Sequence, residues 1–433
     1  MEYLTSMSAS EAAAAIRAKE ITSLELVDAC LRRIGEREPV VNAWAFLDPE
    51  RARAAARACD AATAAGTGVG PLHGVPVGVK DVIDTADMPT EYGSAIHRGH
   101  RPLRDAACVA LIRRAGGIAL GKTVTTEFAM YQPNKTANPH NPAHTPGGSS
   151  SGSAAAVADR HVPVALGTQT SGSIIRPAAF CGVIGYKPSF GTFAIEGVKT
   201  LAASLDTLGL LARGIDDLLL MYDVFAGLPA ATAATRPRKA GERLRIGFWQ
   251  PPFAPAPAAD ADGLARACAR LAGVGFALEP VAMPAALAEL NDVHAALMAY
   301  EVARNHLYEY EPPRRALMAA TTSAVMEQGW RVPFEDYLGY RETTRAARAA
   351  FDAIARTFDA ILVPAAPGEA PPIAATGDPV FNRMWSLLGV PALTLPVGTG
   401  PNGLPIGVQL VSRYDGDLAL LDVARQLEPA IRG

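Results

Sequence analysis

Long apolar runs are missing from this sequence of 433 residues. Nowhere do about 18 uncharged apolar residues follow one another, which is the length that a membrane-spanning helix needs. The N-terminus, which begins Met1-Glu2-Tyr3, also has no basic segment followed by an apolar core, the pattern of a secretory signal. We therefore expect a soluble protein of the cytoplasm that has no membrane partner.

A large excess of charge of one sign is also missing. The formal net charge is -3 at pH 7, and no block of lysine or arginine stands out, so nothing draws the chain to nucleic acid. Hydrophobic residues make up 49% of the chain, which supplies an ample core and excludes disorder for most of it. Small-molecule chemistry is therefore the favoured class of function.

Cysteine and histidine are scarce, with 5 and 8 residues respectively. Because the cysteines are odd in number, far apart and mostly in apolar settings, they are interpreted as buried thiols in a reducing compartment. His140 and His144 are four residues apart, but Pro142 between them prevents one helical face from presenting both. We expect no metal site.

Glycine and serine are concentrated in two loops, at residues 147–153 and 168–173. The first runs directly into a helix start at residues 154–158, and the second follows an apolar run at 162–166 that indicates a short buried strand. Loops of this composition are often plain turns, and neither has the Gly-Lys-Ser/Thr ending of a phosphate cradle. Two hydroxyl-bearing turns beside buried elements nevertheless indicate nucleophilic chemistry.

A lysine ends an apolar, strand-like run in residues 71–81, PLHGVPVGVKD. The alternation of side chains places Lys80 on the same face as Gly78 and Val82, and Asp81 on the opposite face. A lone lysine is ordinarily a surface residue, but little around this one is polar. Burial without a carboxylate lowers the pKa of a lysine, and a fall from about 10.4 to about 7 corresponds to about 4.6 kcal/mol.

The set Lys80, Ser149 and Ser173 closely resembles the amidase signature family, whose members use a lysine, a bridging serine held by a cis peptide bond, and a nucleophilic serine. The two serines are 24 residues apart, as that pattern requires. Further motifs fit over most of the chain: Glu127-Phe128-Ala129-Met130, Asn141-Pro142, Ser204-Leu205-Asp206-Thr207, Ala212-Arg213, and residues 358–364 and 389–392.

The resemblance implies an α/β fold with a single large domain over residues 1–433, in which a central mixed β-sheet is covered by helices on both faces. Its core motifs would occupy residues 71–213 and 358–411. The region at about 295–356 is interpreted as a helical cover over the site, although packing between helices is the favoured role for any single aromatic there. These aromatics are Tyr300, Tyr308, Tyr310, Trp330 and Tyr337. We also expect a homodimer.

The resemblance further implies hydrolysis of an amide bond through an acyl-enzyme intermediate. Neutral Lys80 would take a proton from Ser173 through Ser149, and Ser173 would attack the carbonyl carbon. Ser149 would then return a proton to the departing ammonia or amine. The oxyanion would be held by the backbone N–H groups of Thr170, Ser171, Gly172 and Ser173. Chemistry of this kind needs no metal or organic cofactor.

The second loop departs from the usual family pattern, Gly-Thr-Asp-Thr-Gly-Gly-Ser-Ile-Arg. Residues 167–176 read GTQTSGSIIR, so that Gln169 replaces the aspartate and the arginine has moved one residue on, to Arg176. In this respect the loop is similar to the malonamidase-type enzymes, which act on short amides that carry a carboxylate. Arg176, together with Thr170, would then bind the substrate, its guanidinium gripping the carboxylate with two hydrogen bonds. Alternatively, Arg176 ties the loop to a nearby carbonyl or acid.

Two other functions remain open. The catalytic subunit of a glutamine-dependent amidotransferase shares the three residues but works with partner subunits and passes ammonia on; the displaced arginine argues against it. A non-catalytic binding protein on the same fold is disfavoured because all three positions are filled.

Overall fold

The computed structural model of the chain describes residues 2–67, 70–228, 244–252, 258–284, 287 and 289–433. Within these ranges, eleven strands form one mixed sheet in the order β1-β3-β2-β4-β6-β5-β10-β11-β9-β7-β8. The strands are β1 (Trp44–Leu47), β2 (Pro76–Lys80), β3 (Ile118–Thr123), β4 (Val164–Gln169), β5 (Ile184–Lys187), β6 (Thr207–Ala212), β7 (Arg245–Phe248), β8 (Ala277–Pro280), β9 (Ala360–Pro364), β10 (Ala392–Thr399) and β11 (Pro405–Val411).

The sheet combines parallel and antiparallel pairs of strands. β2 is parallel to both β3 and β4, and β7 is parallel to both β8 and β9. The other neighbouring strands are antiparallel. Every residue of β2, β3, β4, β6 and β11 is buried, which is why these segments carry near-continuous apolar runs rather than an alternating pattern.

Helices cover the sheet. They are α1 (Glu2–Ser6), α2 (Ala9–Arg17), α3 (Ser23–Val41), α4 (Pro49–Ala65), α5 (Ala107–Arg114), α6 (Ser151–Ala158), α7 (Ile175–Cys181), α8 (Ile215–Ala226), α9 (Ala258–Gly273), α10 (Leu290–Asn305), α11 (Leu307–Tyr310), α12 (Ala320–Arg331), α13 (Phe334–Ala355), α14 (Arg383–Leu388) and α15 (Asp417–Arg432). The predicted α/β fold with a mixed sheet flanked by helices is confirmed. None of the helices in the described ranges has the length and apolar character needed to cross a bilayer.

Local sequence signals explain several of the helix ends. α2 and α3 each begin with a capping box, in which Ser8 pairs with Glu11 and Thr22 with Glu25. α4 ends at Gly66, whose left-handed backbone, with φ of 69°, is a conformation that glycine adopts without steric cost. The helix after the first serine loop begins at Ser151, three residues earlier than predicted, so the loop itself is shorter.

The region predicted as a cover is divided into four helices, α10 to α13. Tyr300 in α10 is buried and stacks on Tyr337 of α13 with ring centroids 4.1 Å apart, whereas Tyr308 is 60% exposed. α10 lies directly over the second serine loop, because the Ser171 hydroxyl donates to the sulfur of Met298 at 3.4 Å. This helix therefore separates the loop from solvent on that side.

Candidate active site

Lys80 is the last residue of β2, and its side chain is completely buried. Its amine donates to the Ser149 hydroxyl at 2.8 Å and to the Thr168 hydroxyl at 2.7 Å. Burial lowers the pKa of Lys80 from its ordinary 10.5 to about 7, while the charge of Asp206 acts in the opposite direction. Near neutral pH, a large fraction of this amine is therefore unprotonated and already bound to a serine.

The carboxylates near Lys80 are held by other groups. Asp81, the next residue along the chain, lies 3.2 Å from the amine of Lys122, in agreement with its predicted position on the opposite face. Asp206 is also buried, and burial raises its pKa to about 6. Its carboxylate accepts from the Thr170 hydroxyl at 2.6 Å and from the N–H of Leu201 at 2.7 Å. Neither carboxylate forms an ion pair with Lys80.

The first serine loop reaches Ser149 through a cis peptide bond between Gly148 and Ser149. The loop is tightly enclosed, since a Cβ atom on Gly148 would lie 3.0 Å from the methyl carbons of both Thr126 and Thr376. The Gly148 carbonyl accepts from Arg176 at 2.7 Å. Ser149 is thus held between the lysine on one side and a fixed backbone on the other.

The second serine loop lies directly against the first, because the Ser150 N–H donates to the carbonyl of Ser173 at 3.3 Å. The Gln169 side-chain oxygen accepts from the N–H groups of Ile174 and Ile175, at 2.8 and 3.0 Å. These groups stand at the start of α7, where backbone donors have no partner within the helix. Gln169 therefore caps this turn and fixes the position of Ser173, which is 7% exposed.

A second chain of bonds holds the same loop from the other side. The Gln169 side-chain nitrogen donates to the Ser386 hydroxyl at 3.1 Å, and that hydroxyl donates to the Ser171 carbonyl at 2.7 Å. His294 Nε2 lies 2.9 Å from the Thr170 carbonyl and must donate to it, since the carbonyl can only accept. Burial lowers the pKa of His294 to about 4, so the ring is neutral.

The backbone N–H groups of residues 170–173 are available to a ligand. In the part of the chain that the structure describes, these four groups donate no hydrogen bond. Gly172 lets Asn382 and Pro379 pack closely against this loop, because a Cβ atom there would lie 2.5 Å from Asn382 Oδ1 and 3.0 Å from Pro379 Cβ. The loop therefore has unpaired backbone donors, the kind of group that stabilises a developing negative charge.

Arg176 does not project into open space. It is 2% exposed, and its two terminal nitrogens donate to the carbonyls of Gly148 and Gly377, each at 2.7 Å. Burial lowers its pKa to about 10, so the guanidinium remains charged at pH 7. These contacts are those of the alternative role, in which Arg176 ties the loop to neighbouring backbone. The Thr170 hydroxyl, also predicted to bind substrate, is bound to Asp206.

Sequence reasoning missed several residues that the fold brings to the site. Thr168, which accepts from the lysine as Ser149 does, lies within the predicted loop, and nothing in the sequence pattern indicates this contact. Asp206 stands in the family motif Ser204-Leu205-Asp206-Thr207, and this motif is the only feature of the sequence that indicates a place for Asp206 near the site. His294 comes from α10 and has no local signal at all, since only the packed structure places it against the loop.

The chain matches a family model described as Amidase over residues 25–421. Among curated proteins it is 35% identical to the A subunit of glutamyl-tRNA(Gln) amidotransferase from Anaeromyxobacter sp. (strain K), an alignment that covers 96% of this chain and 95% of the relative.

Solved structures with the same fold include two hydrolases. The peptide amidase of Stenotrophomonas maltophilia is 29% identical, with a TM-score of 0.84 and coverage of 99% of this chain and 97% of that one. The 6-aminohexanoate cyclic dimer hydrolase, solved with its substrate, is 26% identical, with a TM-score of 0.86 and coverage of 99% and 98%.

Proposed function

The chain belongs to the amidase signature family, and from that premise we propose that it hydrolyses the amide bond of a small, carboxylate-bearing amide. The reaction passes through an acyl-enzyme intermediate and releases ammonia or an amine. One observation carries the proposal: a fully buried amine, with a pKa of about 7, donates to the hydroxyl of Ser149 at 2.8 Å. A lysine can act as a base only when its amine is unprotonated. Burial lowers the pKa of Lys80 enough for the unprotonated form to be well populated near pH 7.

Acylation begins with two linked proton transfers. The Ser173 hydroxyl gives its proton to Ser149 while Ser149 gives its own to Lys80, and Ser173 Oγ forms a bond to the amide carbonyl carbon. The negative charge on the former carbonyl oxygen is stabilised by the free N–H groups of residues 170–173. The carbon–nitrogen bond then breaks as the leaving nitrogen takes a proton from Ser149, which is replenished by Lys80.

Deacylation follows the same path in reverse. Water attacks the ester carbon, its proton passes through Ser149 to Lys80, and the bond to Ser173 Oγ breaks as that oxygen takes a proton back. The acid is released and the lysine returns to its neutral form. All proton transfers use side chains of this chain, so the cycle needs no other reactant than water.

A second candidate is favoured by the curated relatives. The A subunit of glutamyl-tRNA(Gln) amidotransferase is 35% identical to this chain over nearly its full length, so the chain could be the catalytic component of such a complex. We favour the free-standing hydrolase because the second serine loop has Gln169 and Arg176 at the positions where it resembles malonamidase-type enzymes. We further propose that it works as a homodimer without other proteins.

The test is to purify the chain alone and to measure ammonia release from a panel of amides that includes glutamine. Ser173→Ala should lower kcat by more than about 10⁴-fold, and intact mass should show an acyl adduct on the wild type alone. Ser151→Ala is the matched control, since the Ser151 hydroxyl donates to the Val124 carbonyl, at 3.4 Å, and not to either catalytic serine. Full activity in Ser173→Ala, or activity only after partner subunits are added, would contradict the proposal.

A further inference from the structure

Three successive peptide groups between Thr170 and Ser173 share one pattern of hydrogen bonding. Their carbonyls each accept a bond from another part of the protein: the first from His294, the second from the Ser386 hydroxyl and the third from the Arg176 N–H. Their N–H groups, in the part of the chain that the structure describes, donate to nothing. One side of this backbone is thus fully bonded and the other side is open.

The trans geometry of these peptides couples their two ends. Within the described ranges, cis bonds occur only between Gly148 and Ser149 and between Pro312 and Pro313, so the peptides of residues 170–173 are trans. In a trans peptide the C=O and the N–H point in opposite directions within one plane. A hydrogen bond that fixes the carbonyl therefore also fixes the direction of the N–H. Because residues 170–173 are all buried, these unpaired donors are groups that a bound ligand would satisfy.

The first of these bonds comes from His294, a completely buried residue of α10. Its Nε2 donates to the Thr170 carbonyl at 2.9 Å, and its Nδ1 is buried without a hydrogen-bond partner. The bond to Thr170 is therefore the one described hydrogen bond that the ring makes. Burying an imidazole is costly compared with burying an apolar ring, so packing alone does not explain a histidine here. The bond to the loop does explain it.

The second bond comes from Ser386 in α14, and its direction is fixed by Gln169. The Gln169 side-chain oxygen already accepts from two N–H groups at the start of α7, so the side-chain nitrogen is the atom that faces Ser386. An amide nitrogen can only donate, and the Ser386 hydroxyl must accept from it. The single proton of that hydroxyl is then free to bind the Ser171 carbonyl, which lies 2.7 Å away.

We propose that His294 and Ser386 are positioning residues for the oxyanion of the reaction. Each donates to the carbonyl end of a loop peptide and so directs the N–H at its other end, that of Ser171 or of Gly172, toward the substrate oxygen that becomes negative. Donors that are fixed before the reaction cost no reorganisation during it. A bonded carbonyl also polarises its own peptide, which strengthens the N–H as a donor. The inference rests on the proposed function and names the side chains that prepare its site.

The first experiment measures kcat and KM of His294→Phe and Ser386→Ala on the amide that the wild type hydrolyses best. We expect kcat to fall by about 10- to 100-fold in each variant, because a misdirected N–H stabilises the transition state less well. KM should stay within about threefold of the wild type, since the lost interaction forms in the transition state and not in the bound substrate.

Two conservative variants test the geometry of the histidine. The side-chain nitrogen of glutamine reaches about as far as Nε2 of histidine, whereas that of asparagine reaches only as far as Nδ1. His294→Gln should therefore recover most of kcat, and His294→Asn should not, although both keep a polar amide. This pair also carries the test if His294→Phe does not fold.

Asn291→Leu is the matched control for a lost bond from the same helix. Asn291 stands three residues before His294 in α10, is 8% exposed, and donates to the Val380 carbonyl at 2.9 Å and not to the loop. Its replacement removes a buried bond to a backbone carbonyl, as His294→Phe does. We expect this control to unfold at a lower urea concentration than the wild type while its kcat stays within about threefold.

A second readout does not require a substrate. A small alkyl fluorophosphonate forms a bond from its phosphorus to Ser173 Oγ and expels fluoride, while the serine proton passes through Ser149 to Lys80. Its phosphoryl oxygen then takes the place of the oxyanion. The rate of labelling, followed by intact mass, should fall by about 10-fold or more in His294→Phe and Ser386→Ala, and it should be unchanged in Asn291→Leu.

The outcomes distinguish this inference from the proposed function. If His294→Phe and Ser386→Ala react as fast as Asn291→Leu, or if His294→Asn recovers as much activity as His294→Gln, the positioning role is wrong. A rise in KM with kcat unchanged would also overturn it. If the wild type is labelled but hydrolyses no amide, the proposed function fails and the labelling rates decide the positioning role by themselves. A wild type that is neither active nor labelled would overturn both.

Discussion

The substitution Lys80→Met tests whether burial keeps the amine of Lys80 largely unprotonated in the folded protein. If it does, the variant should lose activity and yet be more stable than the wild type at low pH. The pKa of Lys80 is about 7 when folded and 10.5 ordinarily. The unfolded chain therefore binds more protons between these two values, so the stability of the wild type rises with pH over that interval. Below pH 7 the amine is charged in the folded state, and burying this charge lowers the free energy of unfolding by about 5 kcal/mol. Above pH 10.5 the penalty is absent.

Two hydrogen bonds oppose this gain. The amine donates to the hydroxyls of Ser149 and Thr168, and losing each costs about 1 kcal/mol. At pH 6 we therefore expect Lys80→Met to be about 3 kcal/mol more stable than the wild type, and at pH 10 about 1 kcal/mol less stable, with the sign changing near pH 9. In the same variant, kcat should fall by about 10²- to 10⁴-fold, because the general base is missing.

The assay is urea unfolding followed by tryptophan fluorescence at pH 6, 8 and 10, with amide hydrolysis measured in parallel. Lys187→Met is the matched control. Lys187 is also buried, with a pKa lowered to about 7 by burial, but its amine donates to the Pro188 carbonyl and lies outside the catalytic set. It should show the same dependence of stability on pH while keeping its activity. A Lys80→Met protein that is less stable than the wild type by the same amount at every pH would refute the reasoning.

Two further substitutions test the surroundings of this amine. Arg176→Met leaves the carbonyls of Gly148 and Gly377 without their donor; losing hydrogen bonds to a charged group should lower the free energy of unfolding by about 2 to 4 kcal/mol, measured by urea unfolding. Unchanged stability would show that the arginine does not hold the loop. Asp206→Asn removes the charge that raises the pKa of Lys80. The pH at which kcat/KM reaches half its maximum should therefore move below about 7, as a pH–rate profile would show; a move to higher pH would contradict the assigned effect.

The sequence allowed the catalytic set to be predicted because its members stand in local patterns. Lys80 ends an apolar strand, and the two serines stand in glycine-rich turns at a spacing typical of the family. The sheet and its helices followed from the same family pattern. Helix ends with caps, such as Thr22 and Gly66, were also predictable, since a cap acts within a few residues.

The remainder depended on packing between distant segments. The role of Arg176 could not be decided from its position, because one residue's step along a helix turns a side chain by about 100°. Only the folded chain shows that this side chain meets two carbonyls. His294 reached the site from a helix more than a hundred residues further along the chain.

The bonds from Ser386 and Gly377 to the nucleophile loop also bear on synthesis of the protein. The strands from β1 to β6 lie together on one side of the sheet and are complete by Ala212. Lys80 and both serines therefore emerge from the ribosome long before residues 377–386 do. Until then Gln169 and Arg176 each lack one of their partners, and the loop that carries Ser173 lacks the bonds from Ser386 and Gly377. We expect the nascent chain to be inert until its last tenth is made, so that hydrolytic activity arrives only with a nearly finished enzyme.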